Sequence, residues 1–260
     1  MTPLLHRPAV SRVLAPALVG LLLLGLWQAC CTAWQVPSYI FPAPTAIAGS
    51  LRANLPALLH ALLATMEVTL VALAMAVLAG TLIAFLFVQS RAIELSLMPY
   101  AIMLQVTPIV AVAPLIIILV KNIFWSLVLC ATVIALFPVI SNTTLGLRSV
   151  DPGLLAFFRM NQASRLQTLW RLRVPSALPF FLAGLRVSAG LSLVGAVVAE
   201  FVAGTGGRSA GLAYEILQAS FQLDIPRMFA ALFLITLAGI ALTLATAAIS
   251  RWLLRDRQPD

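Results

Sequence analysis

A chain of 260 residues that is 62% hydrophobic and 9% charged, with a mean hydropathy of +1.06, is an integral membrane protein and not a soluble domain. Its net charge of +8 would suit nucleic acid in a soluble chain, yet in a membrane chain basic residues first report orientation, which leaves no support for a nucleic-acid partner. Cys30, Cys31 and Cys130 fall in apolar runs without metal-ligand or disulfide spacing and read as small membrane-buried residues.

Crossing about 30 Å of hydrocarbon takes roughly 20 helical residues. Six stretches qualify: Val13 to Ala33, Leu62 to Val88, Leu95 to Val120, Ile123 to Ile140, Phe180 to Ala203 and Met228 to Ile249. None alternates as a barrel strand does, and lipid leaves no backbone polar group unpaired in an open structure. The predicted fold class is all-α, a polytopic membrane protein with six transmembrane helices.

Arg7 and Arg12 before a run ending at Ala29-Cys30 also fit a cleaved signal peptide. The full-length run, and Trp27 where a lipobox wants leucine, favour a retained first span. From Val36 to His60 the chain is proline-rich with one short amphipathic segment, suiting an outer-surface excursion. His6 and His60 stand alone in flanking segments and read as interface residues. This divides the chain into residues 1–60, the first span and outer segment; 61–251, the core; and 252–260, a cytoplasmic tail.

Glu67 near the outer end of the second span and Glu200 near the outer end of the fifth are carboxylates at membrane depth, where function and simple pairing both have a claim. In the third span Pro108 and Pro114 each remove a helical hydrogen bond, predicting kinks that line a pathway or serve packing. The fifth has Ser188, Ser192 and Ala196 at four-residue spacing beside Gly184, Gly190 and Gly195, predicting close helix contact, within the chain or across a dimer.

The long polar and basic interval runs from Arg148 to Pro179. Asp151-Pro152 reads as an N-cap with proline at the first helical position. Ser164 with Gln167 reads as a capping box opening a second short helix. Met160 to Ala163 make the turn between them, and Pro175 and Pro179 are expected to stop the helix before the next span. Leu154, Leu155, Phe157 and Phe158 are too apolar for a solvated loop; they lie on the protein's own spans or fill a partner's groove.

With the N-terminus inside, Arg7, Arg12, Arg91, Arg148, Arg159, Arg165, Arg171, Arg173, Arg186, Arg251, Arg255 and Arg257 face the cytoplasm, against Arg52, Lys121, Arg208 and Arg227 outside. That bias places both termini in the cytoplasm. No phosphate-binding G-x-x-x-x-G-K-[ST] occurs, the sole lysine is Lys121, and neither H-E-x-x-H nor C-x-x-C is present. The expectation is no catalytic residue, no metal and no cofactor of the chain's own.

The interval resembles the EAA loop of binding-protein-dependent ABC importer permeases, whose pattern is E-A-A, three residues, G, nine residues, I-x-L-P. Here it falls on Ala156-Phe157-Phe158, Gln162, Leu172, Val174 and Pro175, with Ala163-Ser164, Pro179, Gly184-Leu185-Arg186 and Ala199-Glu200 also in agreement. Alanine replaces the family's acid, and Gln162 its loop glycine. Ile140 to Leu155 and Gly211 to Leu242 resemble the nitrate, sulfonate and taurine branch, which includes vitamin-precursor importers; the likeness covers roughly Ile47 to Arg251. The resemblance implies a homodimeric pore of two copies in a bacterial inner membrane, two ATPase subunits binding the ATP and docked on the loop, an extracytoplasmic solute-binding protein, and transport by alternating access. It implies ATPase coupling through Asp151, Leu154, Leu155, Phe157, Phe158, Gln162, Ala163, Ser164, Gln167 and Pro175. Glu67, Glu200, Pro108, Pro114, Ser188 and Ser192 are the expected pathway residues. A secondary transporter or channel is the competing class, but no inverted repeat or buried ion-coupling cluster is visible. The solute reads as a small anion or a vitamin- or pyrimidine-type precursor.

Overall fold

The computed structural model describes residues 8–204 and 210–255, with side chains from residue 14 onward. His6, Arg7, Arg208, Ser209 and Arg257 lie outside the described residues. The helices are α1 (Pro8–Ala33), α2 (Pro44–Ala53), α3 (Leu55–Gln89), α4 (Arg91–Val106), α5 (Ile109–Val120), α6 (Ile123–Arg148), α7 (Pro152–Met160), α8 (Arg165–Thr168), α9 (Val174–Ala203), α10 (Leu212–Phe221) and α11 (Ile225–Leu254). No strand occurs among the described residues. The chain forms two compact units, Met1–Leu59 with Glu215–Phe233, and His60–Tyr214 with Leu234–Asp260.

In the first unit the Gln28 side-chain oxygen accepts from the Thr45 N–H at 3.2 Å, giving one of the free donors in the first turn of α2 an acceptor. Trp27, Phe41 and Phe229 form an aromatic cluster with centroids 5.3 to 6.1 Å apart. Arg227 donates to Glu215 at 2.6 Å.

The second unit is built on α6, packed along α9. Ser188 is fully buried and donates to the Ala135 carbonyl at 2.7 Å. A Cβ on Gly184 would stand 2.8 Å from the Pro138 carbonyl, and one on Gly195 would stand 2.8 Å from Ala131 Cα. Gly184, Ser188 and Gly195 therefore make their contact within the chain, and at the two glycines the approach is close enough to exclude a side chain. Gly195→Val should push α6 and α9 apart, at a cost of about 1–3 kcal/mol. Thermal unfolding of the purified protein in detergent checks this, with Gly190→Val as control, since nothing lies within 4 Å of that position.

The third span departs from expectation. In place of one helix from Leu95 to Val120 the chain makes α4 and α5, bent by 100° across Thr107-Pro108. The residue before a proline is driven out of the helical region, and Thr107 is extended at φ −68°, ψ 124°. Pro114, by contrast, sits inside a continuous α5. The pair still crosses the membrane: Glu94 on the first turn of α4 is bonded to Arg148 at the end of α6. α6 runs about 39 Å back to Ile123, beside the end of α5. The broken pair thus joins opposite faces, and with the five long apolar helices it makes six crossings.

The prolines of the Arg148 to Pro179 interval also behave differently from expectation. Pro175 and Pro179 do not stop the helix, since α8, a π-helical turn over Leu169–Arg173 and α9 form one 39-residue rod from Arg165 to Ala203. The Val174 N–H reaches back five residues to the Leu169 carbonyl, and this widened turn makes room for the Pro175 ring in the first turn of α9.

Candidate functional site

Two places carry the polar chemistry of the second unit, at opposite ends of α9. The first is the α7–α8 loop. Asp151 accepts from the Gly153 and Leu154 N–H groups at 2.6 and 3.1 Å, starting α7. Ser164 and Gln167 exchange both bonds of a capping box, at 3.2 and 2.8 Å, starting α8. Between them the Gln162 N–H bonds to the Arg159 carbonyl and the Ala163 N–H to the Phe158 carbonyl, the reciprocal pair of a Schellman motif. That motif needs a left-handed residue, and Gln162 takes it at φ 51°. The glutamine in place of the family's glycine therefore keeps the turn and carries its strain. Gln162→Gly should stabilise the loop by up to about 1 kcal/mol, because the relief of a left-handed side chain exceeds glycine's greater unfolded-state freedom. Thermal unfolding checks it, and Gln162→Val, β-branched at positive φ, should move it the other way.

The apolar side chains of α7 divide. Leu154 and Phe157, three residues apart, are 50% and 61% exposed, whereas Leu155 and Phe158 are half-buried. The loop is anchored by a group that the sequence reading passed over. Glu94, buried, receives both Nη1 and Nη2 of Arg148, and Arg91 adds a bond at 2.8 Å. Glu94 stands one residue before the predicted third span, and the search for carboxylates within the spans did not reach it.

The second place surrounds Glu200, which is 4% exposed. Its Oε2 accepts from the Thr65 hydroxyl and the Ala213 N–H, each at 3.1 Å, while the Thr65 oxygen accepts from the Leu212 N–H at 2.9 Å. A carboxylate on one helix thus caps the start of α10. Gly211 belongs to the same arrangement, because a Cβ there would overlap the Glu200 carboxyl group. Glu67 takes no part: it is exposed, and two residues from Thr65 means about 200° around α3. The signal that could have found Thr65 is the pair Thr65 and Thr69 at four-residue spacing in an apolar span, both fully buried.

Of the other expected pathway residues, Ser188 and Ser192 are buried, Ser188 bonded to the Ala135 carbonyl on α6 and Ser192 donating to the Ala189 carbonyl of its own helix at 2.9 Å. Pro108 is exposed at the break with Gln105 and Thr107, and Pro114 is exposed on α5. Gly207 to Gly211 has G-x-S-x-G spacing, but it follows a helix and not the strand of a nucleophile elbow, and its serine lies outside the described residues.

Residues 76–258 match the family described as binding-protein-dependent transport system inner membrane component. The chain is 33% identical over 232 residues to a Haemophilus influenzae protein named "Probable ABC transporter permease protein", covering 89% of this chain and 93% of that one. It is 30% identical over 241 residues to the formylaminopyrimidine transport permease protein ThiX of Halalkalibacterium halodurans (92% and 93% covered). It is 33% identical over 237 residues to the riboflavin transport system permease protein RibX of Chloroflexus aurantiacus (90% and 87% covered). Sulfonate and nitrate permeases are among further matches. In fold it is similar to a crystal structure of an amino acid ABC transporter, with TM-score 0.63 and 21% identity over 80% of this chain and 97% of that one. With a family match over 183 residues and end-to-end relatives at 30% identity or more, this chain belongs to the inner-membrane permease components of binding-protein-dependent ABC transporters.

Proposed function

We propose that two copies of this chain form the solute pathway of an ABC importer in a bacterial inner membrane, with α7 and both termini in the cytoplasm. Separate ATPase subunits bind and hydrolyse ATP, and an extracytoplasmic binding protein delivers the solute. The observation that carries this reading is the doubly capped α7–α8 pair, presenting Leu154 and Phe157 outward. The permease itself uses no cofactor or metal and performs no bond chemistry.

ATP-driven closure of the partner dimer brings the two α7 helices together. Because the π-helical turn joins α8 to α9 without a stop, that movement passes into a membrane span. The pathway runs along α4–α5, where the break at Thr107-Pro108 lies about 24 Å from the start of α4. The last carbonyls of α4 and the first N–H groups of α5 lack helical partners there, which a membrane tolerates only in protein or a wet cavity. Glu200 and the start of α10 close the outer end.

The solute is a heteroaromatic vitamin-type precursor. Formylaminopyrimidine and riboflavin are named for the end-to-end relatives, and between Arg91 and Lys121 no Lys or Arg offers a small anion a counter-charge. Uptake of labelled formylaminopyrimidine into cells carrying the permease, its ATPase and its binding protein should require all three. Uptake driven by an ion gradient without the ATPase would instead establish a secondary transporter. For orientation, in a Cys30→Ala background a cysteine at Arg165 should react with an impermeant maleimide only after lysis, and one at Lys121 in intact cells. Reaction at position 165 in intact cells would reverse the topology.

A further inference from the structure

Arg159 on α7, Arg165 on α8 and Arg173 at the end of the π-helical turn line one cavity of about 460 Å³, floored by Val88 and Gln89 at the end of α3. No acidic side chain lines it, and none of the three arginines pairs with a carboxylate among the described residues. Three guanidiniums around one space suit a single group with several anionic oxygens, which each planar fork meets with two donors. The cavity lies where two spans end, at the level of a membrane surface.

One helical turn deeper, α3 and α9, with Thr143 of α6, bound a second space of about 450 Å³ that is almost wholly apolar. On α3 it runs from Val77 to Phe85, about 12 Å along the axis, and on α9 from Val174 to Phe181. Phe85 and Val88 lie three residues apart on α3, and Arg173 adjoins Val174, so the polar cavity and the apolar groove follow each other on both helices. Trp170 stands beside them with its ring 6.2 Å from Phe85, 58% exposed, as tryptophan does at the headgroup boundary.

We propose that cavity and groove together bind one anionic phospholipid of the cytoplasmic leaflet. Its phosphate lies among Arg159, Arg165 and Arg173, and an acyl chain lies along the Val77–Phe85 face of α3. Charge complementarity selects this occupant: a second copy of the chain fills an apolar groove equally well but leaves three unpaired cations beside it, and a zwitterionic lipid brings a cation of its own next to them. The inference rests on the α7 face being cytoplasmic, where anionic lipid attracts basic side chains. Such a lipid ties α7, α8 and α3 together beneath the ATPase docking face.

The test is native mass spectrometry of the full-length permease purified with its ATPase, stripped of lipid and titrated with dioleoylphosphatidylglycerol or dioleoylphosphatidylcholine. The parent should hold phosphatidylglycerol at least tenfold more tightly than phosphatidylcholine. Arg159→Gln/Arg165→Gln/Arg173→Gln should weaken phosphatidylglycerol about a hundredfold, taking each arginine near an anionic surface as worth about fivefold. Leu82→Trp, filling the groove and leaving the arginines in place, should weaken both lipids. Equal binding of the two lipids by the parent, or unchanged phosphatidylglycerol binding by the triple variant, overturns the proposal and makes the arginines topology signals alone. Loss of the dimer on Leu82→Trp with unaltered lipid binding also overturns it, assigning the groove to the second copy. Lipid occupancy is read without transport, so a wrong solute or a missing binding protein does not affect the outcome.

Discussion

Glu200→Ala and Gly211→Ala should be the most damaging single substitutions at the C-terminal end of α9, whereas Glu200→Gln should leave the protein nearly as stable as the parent. Alanine at position 200 strands the Ala213 N–H and the Thr65 hydroxyl in a buried site, and each stranded group costs about 1–3 kcal/mol. The sum is a large share of the roughly 5–15 kcal/mol that holds a folded chain together. Glutamine keeps one oxygen for those two donors, and its amide takes the place of Oε1, which has no partner. Gly211→Ala acts from the other side, its methyl group displacing the carboxyl group from the first turn of α10. Thermal unfolding in detergent separates the three variants, and uptake should fall even in Glu200→Gln if the carboxylate serves the pathway. A Glu200→Ala protein that melts with the parent would show that α10 is held by other means. Glu67→Gln, on the exposed face of α3, should change neither quantity.

The second large effect concerns ATPase docking. Leu154→Ala/Phe157→Ala should reduce co-purification of the ATPase and uptake together, because these side chains, with Met160 at the end of the helix, are the large apolar ones α7 turns outward. Truncating an aromatic anchor in a desolvated groove costs at least about 2 kcal/mol, roughly thirtyfold in association. Phe158→Ala should act mainly on the stability of the permease, since its ring is half-buried and packs edge-on to Phe157 at 6.4 Å. Ser164→Ala, which removes one cap worth about 1 kcal/mol, should do less than either. If Phe158→Ala sheds the ATPase while Leu154→Ala/Phe157→Ala retains it, the docking face is the opposite one.

What was legible in the sequence was what depends on near neighbours. Asp151 with Pro152, and Ser164 with Gln167, announce their helices through bonds spanning three residues, and the apolar runs announce their spans by length. What escaped depends on partners far along the chain. Glu94 meets Arg148 across 54 residues and Thr65 meets Glu200 across 135, and no spacing rule foretells such pairs. The prolines show the same division. Pro108 follows a residue that turns extended and its helix breaks, while Pro175 is absorbed by a widened turn in which Leu169 and Leu172 are buried. A proline signals a missing donor in both cases, and only the surroundings decide whether the chain bends or bulges.

The Arg148–Glu94 pair also determines how force travels. Arg148 precedes Asp151 by three residues and Glu94 opens the first segment of the broken span, so a tug on the docking loop reaches that segment through charge as well as through apolar packing. A bidentate guanidinium–carboxylate pair resists lengthening and also fixes the relative orientation of the groups it joins. In the proposed cycle the pair carries traction from the ATPase to α4 and keeps that limb in register with α6, leaving α5 to change its angle at Thr107-Pro108. Because Glu94 is buried, physiological salt loosens this link far less than it would a surface pair.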